Sequence, residues 1–198
     1  MSLSRLVTAS THGIEVKHSR FLANAIPVSD PDEALRALAD AIVPDANHNC
    51  WAYRIGDACR SSDDGEPAGT AGRPILAAID GQGIDMAMVV VTRWFGGIKL
   101  GAGGLARAYG GTAAECLRRA ERQTIVAMRE LVLHADFDDT GAVHAAMAQY
   151  RAKKISEDFD TQGCRLVLRL PTDNVATLKE QLRDATRNRV RFSNDDDR

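Results

Sequence analysis

No two cysteines stand at C-x-x-C spacing in this 198-residue chain, whose four, Cys50, Cys59, Cys116 and Cys164, are scattered. That excludes a disulfide scaffold and points to a reducing compartment. No two Cys–His clusters fall at ligand spacing, so a zinc framework is excluded as well. No apolar run approaches the roughly 18 residues of a membrane helix. Met1–Gly13 also lacks the apolar core of a signal peptide. A cytoplasmic location and no membrane partner are therefore expected. Also missing are the G-K-S/T of a Walker A loop and the G-x-S-x-G of a nucleophile elbow.

What is there is ordinary for a globular protein, 44% hydrophobic and 26% charged. The length fits one or two domains, and a chain this long can bury a core without disulfides or metals. The net charge of −2 is unevenly spread. Ala87–Thr124 holds six Lys/Arg against two Glu, and Thr177–Arg191 holds five against two acids. Ser62–Glu66 and the tail Asp195–Asp197 are acidic. Local basic stretches suit an anion or RNA, although solvated helix faces would look the same.

The hydrophobic pattern predicts a strand over Ile14–Ile26. A helix follows, started by Ser29-Asp30-Pro31, carried by Ala34, Leu35, Leu38, Ala39 and Ile42, and ended by Pro44. A strand at Asn49–Ile55, a long polar loop at Gly56–Gly72 and a helix at Pro74–Ile79 come next. Ala87–Thr92 reads as a buried central strand. The Gly-rich segment Gly96–Gly104 then leads into a helix over Leu105–Arg122. The rhythm changes near Gln123. Strand Thr124–Phe137, helix Thr140–Arg151, strands Ile155–Thr161 and Cys164–Leu170, helix Asp173–Asn188 and strand Arg189–Ser193 make a βαββαβ order. That order is the ferredoxin-like split βαβ unit.

Three segments could carry chemistry. Ser62–Gly72 (SDDGEPAGTAG) concentrates Asp63, Asp64 and Glu66 among glycines, with Pro67 stiffening the turn and Thr70 following. Such a loop could hold a hard cation, place a carboxylate for acid–base work or pair with a basic group. An acidic surface turn is the plain alternative. Val89–Gly111 (VVVTRWFGGIKLGAGGLARAYGG) delivers Arg93 from a strand and Lys99 from the loop. Gly101, Gly103 and Gly104 mark a helix start, with Arg107 and Tyr109 just inside it. Exposed N–H groups there favour anions, and glycine admits a phosphate to the backbone. Trp94 or Tyr109 could stack a base, but core filling is the preferred reading for Trp94 and Phe95. For Arg93 and Lys99 a functional reading is preferred. In Ala46–Arg54, His48 and Cys50 share a strand face. A nucleophilic Cys–His pair is conceivable there, yet a small buried thiol and a hydrogen-bonding, pH-sensitive His48 fit such a strand better.

Taken together, VKHSRF (Val16–Phe21), HNCWAY (His48–Tyr53), SDDGEPAGTAGRPIL (Ser62–Leu76) and VVVTRWFGGIKLGAGGLARAYG (Val89–Gly110) resemble the IMPACT family. The resemblance covers about Ile14 to Gln123, and the remainder resembles the C-terminal domain of bacterial members. It implies an α+β protein: a ribosomal protein S5 domain 2-like α/β domain at 1–123, then a ferredoxin-like βαββαβ domain at 124–198, similar to the last domains of elongation factor G. Both folds recur in proteins that touch ribosomal RNA. Sugar and mevalonate kinases also use the S5-like fold, with phosphate at a Gly-rich helix start, which is an analogy of fold alone. The family's eukaryotic members regulate translation by competing for the activator of the amino-acid-starvation kinase, with help from an extra N-terminal domain. The match here begins near Ile14, leaving no room for that domain, so the competitive interaction is not expected.

The expected function is thus translation-linked regulation through binding of RNA or the ribosome, with a translation-related protein as a further partner. An enzyme or sensor for a phosphorylated small molecule and a protein-interaction module are the alternatives. No catalytic residue, resident metal or cofactor is assigned. Whether the acidic and basic Gly-rich segments form one cleft or neutralise each other is left open by the sequence.

Overall fold

A computed structural model of the chain describes residues 3–193, so the acidic tail Asp195–Asp197 lies outside the described residues. Two compact units meet in sequence between Ile125 and Val126. In the first, β1 (Ser4–Leu6), β2 (Ser10–Val16), β3 (Ser19–Pro27), α1 (Pro31–Ala41), β4 (His48–Ile55) and β5 (Ala58–Ser62) come before α2 (Gly72–Gly81). Then follow β6 (Ala87–Trp94), α3 (Ala102–Arg119) and β7 (Arg122–Thr124). Five strands form an antiparallel sheet in the order β2-β3-β6-β4-β5.

Helix α1 begins as its residue types dictate. The Asp30 carboxylate accepts from the Glu33 N–H at 2.8 Å, and Glu33 accepts from the Ser29 N–H at 2.7 Å. This reciprocal cap satisfies two backbone donors at the helix entrance. The segment Ile14–Ile26 is not one strand. It lies within a hairpin that reverses at Lys17 and His18, whose φ values are 47° and 63°. Two central residues of positive φ make the turn that matches strand twist. Because neither is glycine or asparagine, no turn signal showed in the sequence. The stretch Gly56–Gly72 is not all loop either, since β5 pairs back on β4. Thr124 does not open a strand of the second unit. It belongs to β7, which pairs with β1. Both strands are three residues long, and only distant pairing makes them strands.

The sheet is covered on both faces. Phe21, Ala23, Ala25, Cys50, Ala52, Val89 and Val91 pack with Ile75 and Ile79 of α2 and Leu105, Tyr109 and Leu117 of α3. Tyr53, Met88 and Val90 pack under Ala34 of α1. Fully burying a large aliphatic side chain contributes about 2 kcal/mol, so the run AMVVV of β6 anchors the sheet from both sides.

The second unit runs β8 (Met128–Asp136), α4 (Thr140–Gln149), β9 (Lys153–Phe159), β10 (Gly163–Pro171), α5 (Val175–Ala185) and β11 (Arg191–Ser193). Its sheet order, β11-β8-β10-β9, is that of the ferredoxin-like fold. Leu131, Leu133, Leu166, Leu168 and Leu170 alternate onto the face that α4 and α5 cover with Val143, Ala146, Leu178 and Leu182. Part of the basic stretch Thr177–Arg191 is engaged within this unit. Lys179 and Arg183 lie over the Phe192 ring at 5.5 and 5.6 Å. Arg189 pairs with Asp139, and Arg191 sits on β11. Among the described residues no helix is long and apolar enough to cross a membrane.

Candidate functional site

Sheet topology brings one end of β3, β6 and β4 together, with Phe21, Arg93 and His48 in register across three strands. The acidic segment folds over this row. Asp63 accepts from the N–H groups of Gly69 at 2.7 Å, Ala71 at 2.9 Å and Gly72 at 2.8 Å. Burial pushes its carboxyl up, but those three donors prevail and hold it below the usual value. Asp63 therefore closes its own loop and ties off the start of α2. The Asp64 carboxylate accepts from the Asn49 N–H at 2.6 Å, and its carbonyl accepts from His48 Nδ1 at 2.7 Å. Thr70 is buried and donates to the Pro67 carbonyl at 2.6 Å.

The two Gly-rich segments meet at Glu66. Its carboxylate accepts from Arg93 Nη1 at 2.5 Å and from the Tyr109 hydroxyl at 2.8 Å. Arg93 also reaches the buried Ser19 Oγ at 3.4 Å, while its Nε has no acceptor among the described residues. His48 Nε2 stands 3.9 Å from the same carboxylate, at the half-buried edge of the cluster. The opposite charges do neutralise each other here, inside the protein rather than across an open cleft.

Three possibilities raised by the sequence are closed by the fold, the last of them already the less favoured reading. The carboxylates are not poised for a hard cation, because Asp63, Asp64 and Glu66 each accept from donors of the chain itself. No metal-holding group of three or more His, Cys, Asp or Glu occurs among the described residues. Tyr109 cannot stack a base, since it is fully buried with its hydroxyl bound to Glu66. A nucleophilic Cys50–His48 pair fails too. Cys50 is fully buried, donates to the Asp63 carbonyl at 2.9 Å, and is pushed by burial up to about 12.

The basic segment turns outward. After β6 the chain presses Gly96 against the β2–β3 turn, where a Cβ would lie 2.0 Å from the His18 carbonyl carbon. Gly97 and Gly101, at φ 86° and 72°, let the loop swing into α3. That helix starts three residues before the expected Leu105, with no side-chain cap and no acid in its first turn. Gly101 and Gly103 are exposed, and Gly104 is half-buried. Lys17, Leu100, Gly104 and Arg107 border a cleft of about 240 Å³ at this helix start. Lys17, Lys99 and Arg107 are exposed and make no ion pair among the described residues.

Phe95 does not fill core. It is 47% exposed, and its N–H is held by Asn47 Oδ1 at 2.7 Å. Trp94 is half-buried under the Arg20 guanidinium, 3.8 Å from the ring centre. Lys17, Ser19 and Arg20 were given no role by the sequence. All three lie in VKHSRF, and only the positive-φ turn shows that this stretch folds back beside Gly96.

Known proteins resemble this chain over most of its length. Residues 17–117 match the Impact N-terminal domain, and residues 133–189 match a domain of unknown function, DUF1949. An IMPACT family member in the pol 5′ region of Thermus thermophilus is 46% identical over 176 residues, spanning 88% of this chain and 97% of that protein. Protein IMPACT of Mus musculus is 35% identical over 102 residues, 46% of this chain and 31% of that protein. A crystal structure of a hypothetical protein superposes with a TM-score of 0.63 at 32% identity, covering 100% of both chains.

Proposed function

The chain belongs to the IMPACT family, and from that premise we propose that it is a translation-linked regulator. In this reading it binds RNA or the ribosome through the surface made by the β2–β3 turn and the start of α3. One observation carries it. The carboxylates of Asp63 and Glu66 are engaged by donors of the protein itself, whereas Lys17, Lys99 and Arg107 remain exposed around a helix start that has no side-chain cap. A helix start of this kind favours phosphate oxygens, and lysine and arginine add the sequence-independent attraction of a polyanion. His48 and the Asp63–Glu66 loop shape this end of the sheet rather than touch the ligand. Arg93, buried under Glu66, holds the two segments together.

Co-sedimentation of the full chain with ribosomal subunits and bulk RNA across a salt series tests the reading. Binding that weakens with salt, and is lost in a Lys17→Ala, Lys99→Ala, Arg107→Ala variant of unchanged fold, is the expected result. No co-sedimentation at low salt refutes it. The 240 Å³ cleft favours a second reading, a phosphorylated small molecule seated against Gly104. Nucleotides and sugar phosphates would then raise the melting temperature, by an amount equivalent to about 2.7 kcal/mol at a hundredfold excess over Kd. A translation-related protein partner would instead survive nuclease treatment of a lysate.

A further inference from the structure

We propose that Phe95 is a stacking platform for an unpaired nucleobase, so that the ligand of this surface is single-stranded rather than duplex RNA. The proposal rests on the RNA-binding reading above and names the form of RNA. A phenyl ring that is 47% exposed contributes little to the core, yet the chain fixes it firmly. Asn47 Oδ1 holds its N–H at 2.7 Å. The next residue, Gly96, is pressed so closely on the backbone of His18 and Ser19 that no side chain would fit. On its inner side lies the buried Arg93 guanidinium, 5.5 Å from the ring centre, itself locked to Glu66 and facing the Phe21 ring at 5.4 Å on another side. A cation against the ring anchors it and adds positive potential beneath it.

The surroundings select the occupant. Gly96 places Phe95 beside the turn that carries Lys17, and the loop from Phe95 leads through the exposed Lys99 to the helix start with Arg107. An exposed apolar ring on a buried cation, at the head of the loop that carries Lys99, suits a ligand that alternates flat apolar groups with anions. A single-stranded nucleic acid has that alternation, with each base flanked by phosphates. A duplex offers the phosphates but keeps its base faces stacked inside. Lys17, Lys99 and Arg107 therefore attract either form, and Phe95 discriminates between them.

The test is equilibrium binding of the full chain to a labelled, unstructured mixed-sequence RNA oligonucleotide, and to the same oligonucleotide annealed to its complement. Wild type, Phe95→Leu and Phe95→Tyr are compared over a salt series. The expected result is wild-type preference for the single strand, lost in Phe95→Leu through a roughly tenfold weakening on the single strand alone. The salt slope of Phe95→Leu should match wild type, since no phosphate contact is removed. Phe95→Tyr keeps a ring and should keep the preference. An unchanged single-strand preference in Phe95→Leu, or equal loss on both RNAs, overturns the proposal and leaves the RNA-binding reading standing. Failure of folded wild type to bind either RNA overturns both and leaves the exposed ring to a protein partner.

Discussion

The two Gly-rich segments hold similar materials, charged side chains spaced by glycine, and meet opposite fates. In Ser62–Gly72 the carboxylates are bound by donors of the protein itself, with Glu66 buried and only Asp64 left exposed. In the loop and helix start after Arg93 they point into solvent. The difference lies in what the charges find locally. A carboxylate on a tight turn meets its own backbone N–H groups, and Asp63 collects three of them. A lysine or arginine side chain only donates, so backbone N–H groups cannot satisfy it. The α3 start beside these cations offers only further N–H groups, which repel them. One segment thus becomes scaffold and the other surface, and substitutions should divide the same way between lost stability and lost binding.

The largest effect should follow Glu66→Ala. It leaves the Arg93 charge buried without its partner and should cost about 3–5 kcal/mol of unfolding free energy by urea titration. Replacing both partners, Glu66→Leu with Arg93→Met, should recover much of that, and failure to recover would mean that the pair does more than hold the segments together. Asp63→Ala comes next, at about 3 kcal/mol, because three backbone donors lose their acceptor. Gly96→Ala should cost about 1–3 kcal/mol, as the turn at His18 must move to admit the methyl group.

Acid titration sharpens the contrast further. The folded carboxyl of Asp63 titrates below its unfolded value, so the unfolded chain takes up the proton first. The contribution is complete above about pH 4 and fades as pH falls through the depressed folded value. Urea midpoints measured from pH 6 to pH 3 should drop more steeply in wild type than in Asp63→Asn. The smallest stability effect belongs to Lys99→Ala and Arg107→Ala, each within about 0.5 kcal/mol of wild type. Each should still make the salt dependence of RNA binding shallower by about 0.7–0.9 in log–log slope. A stability loss like that of Glu66→Ala at either residue would end the division into scaffold and surface.

The sequence by itself determined the elements whose signals are local. The capped start of α1 was legible from Ser29-Asp30-Pro31, and β6 from its unbroken apolar run. The leucine alternation of β10 marked its buried face, and the βαββαβ order marked the second fold. The long motifs from Val16 to Gly110 likewise sufficed to suggest the family. Only the tertiary structure decided what depends on distant partners. The β2–β3 reversal needs positive φ at two residues that carry no turn signature, and β1 and β7 exist only through each other. Glu66 and Arg93 are 27 positions apart, and nothing in their separate neighbourhoods says that one neutralises the other. Nor does composition tell a ring that fills the core from one that caps a buried guanidinium at the surface. A charge or a ring acquires its role from the donors, cations and water it meets after folding, and those are set by which chain segments the sheet brings to one end.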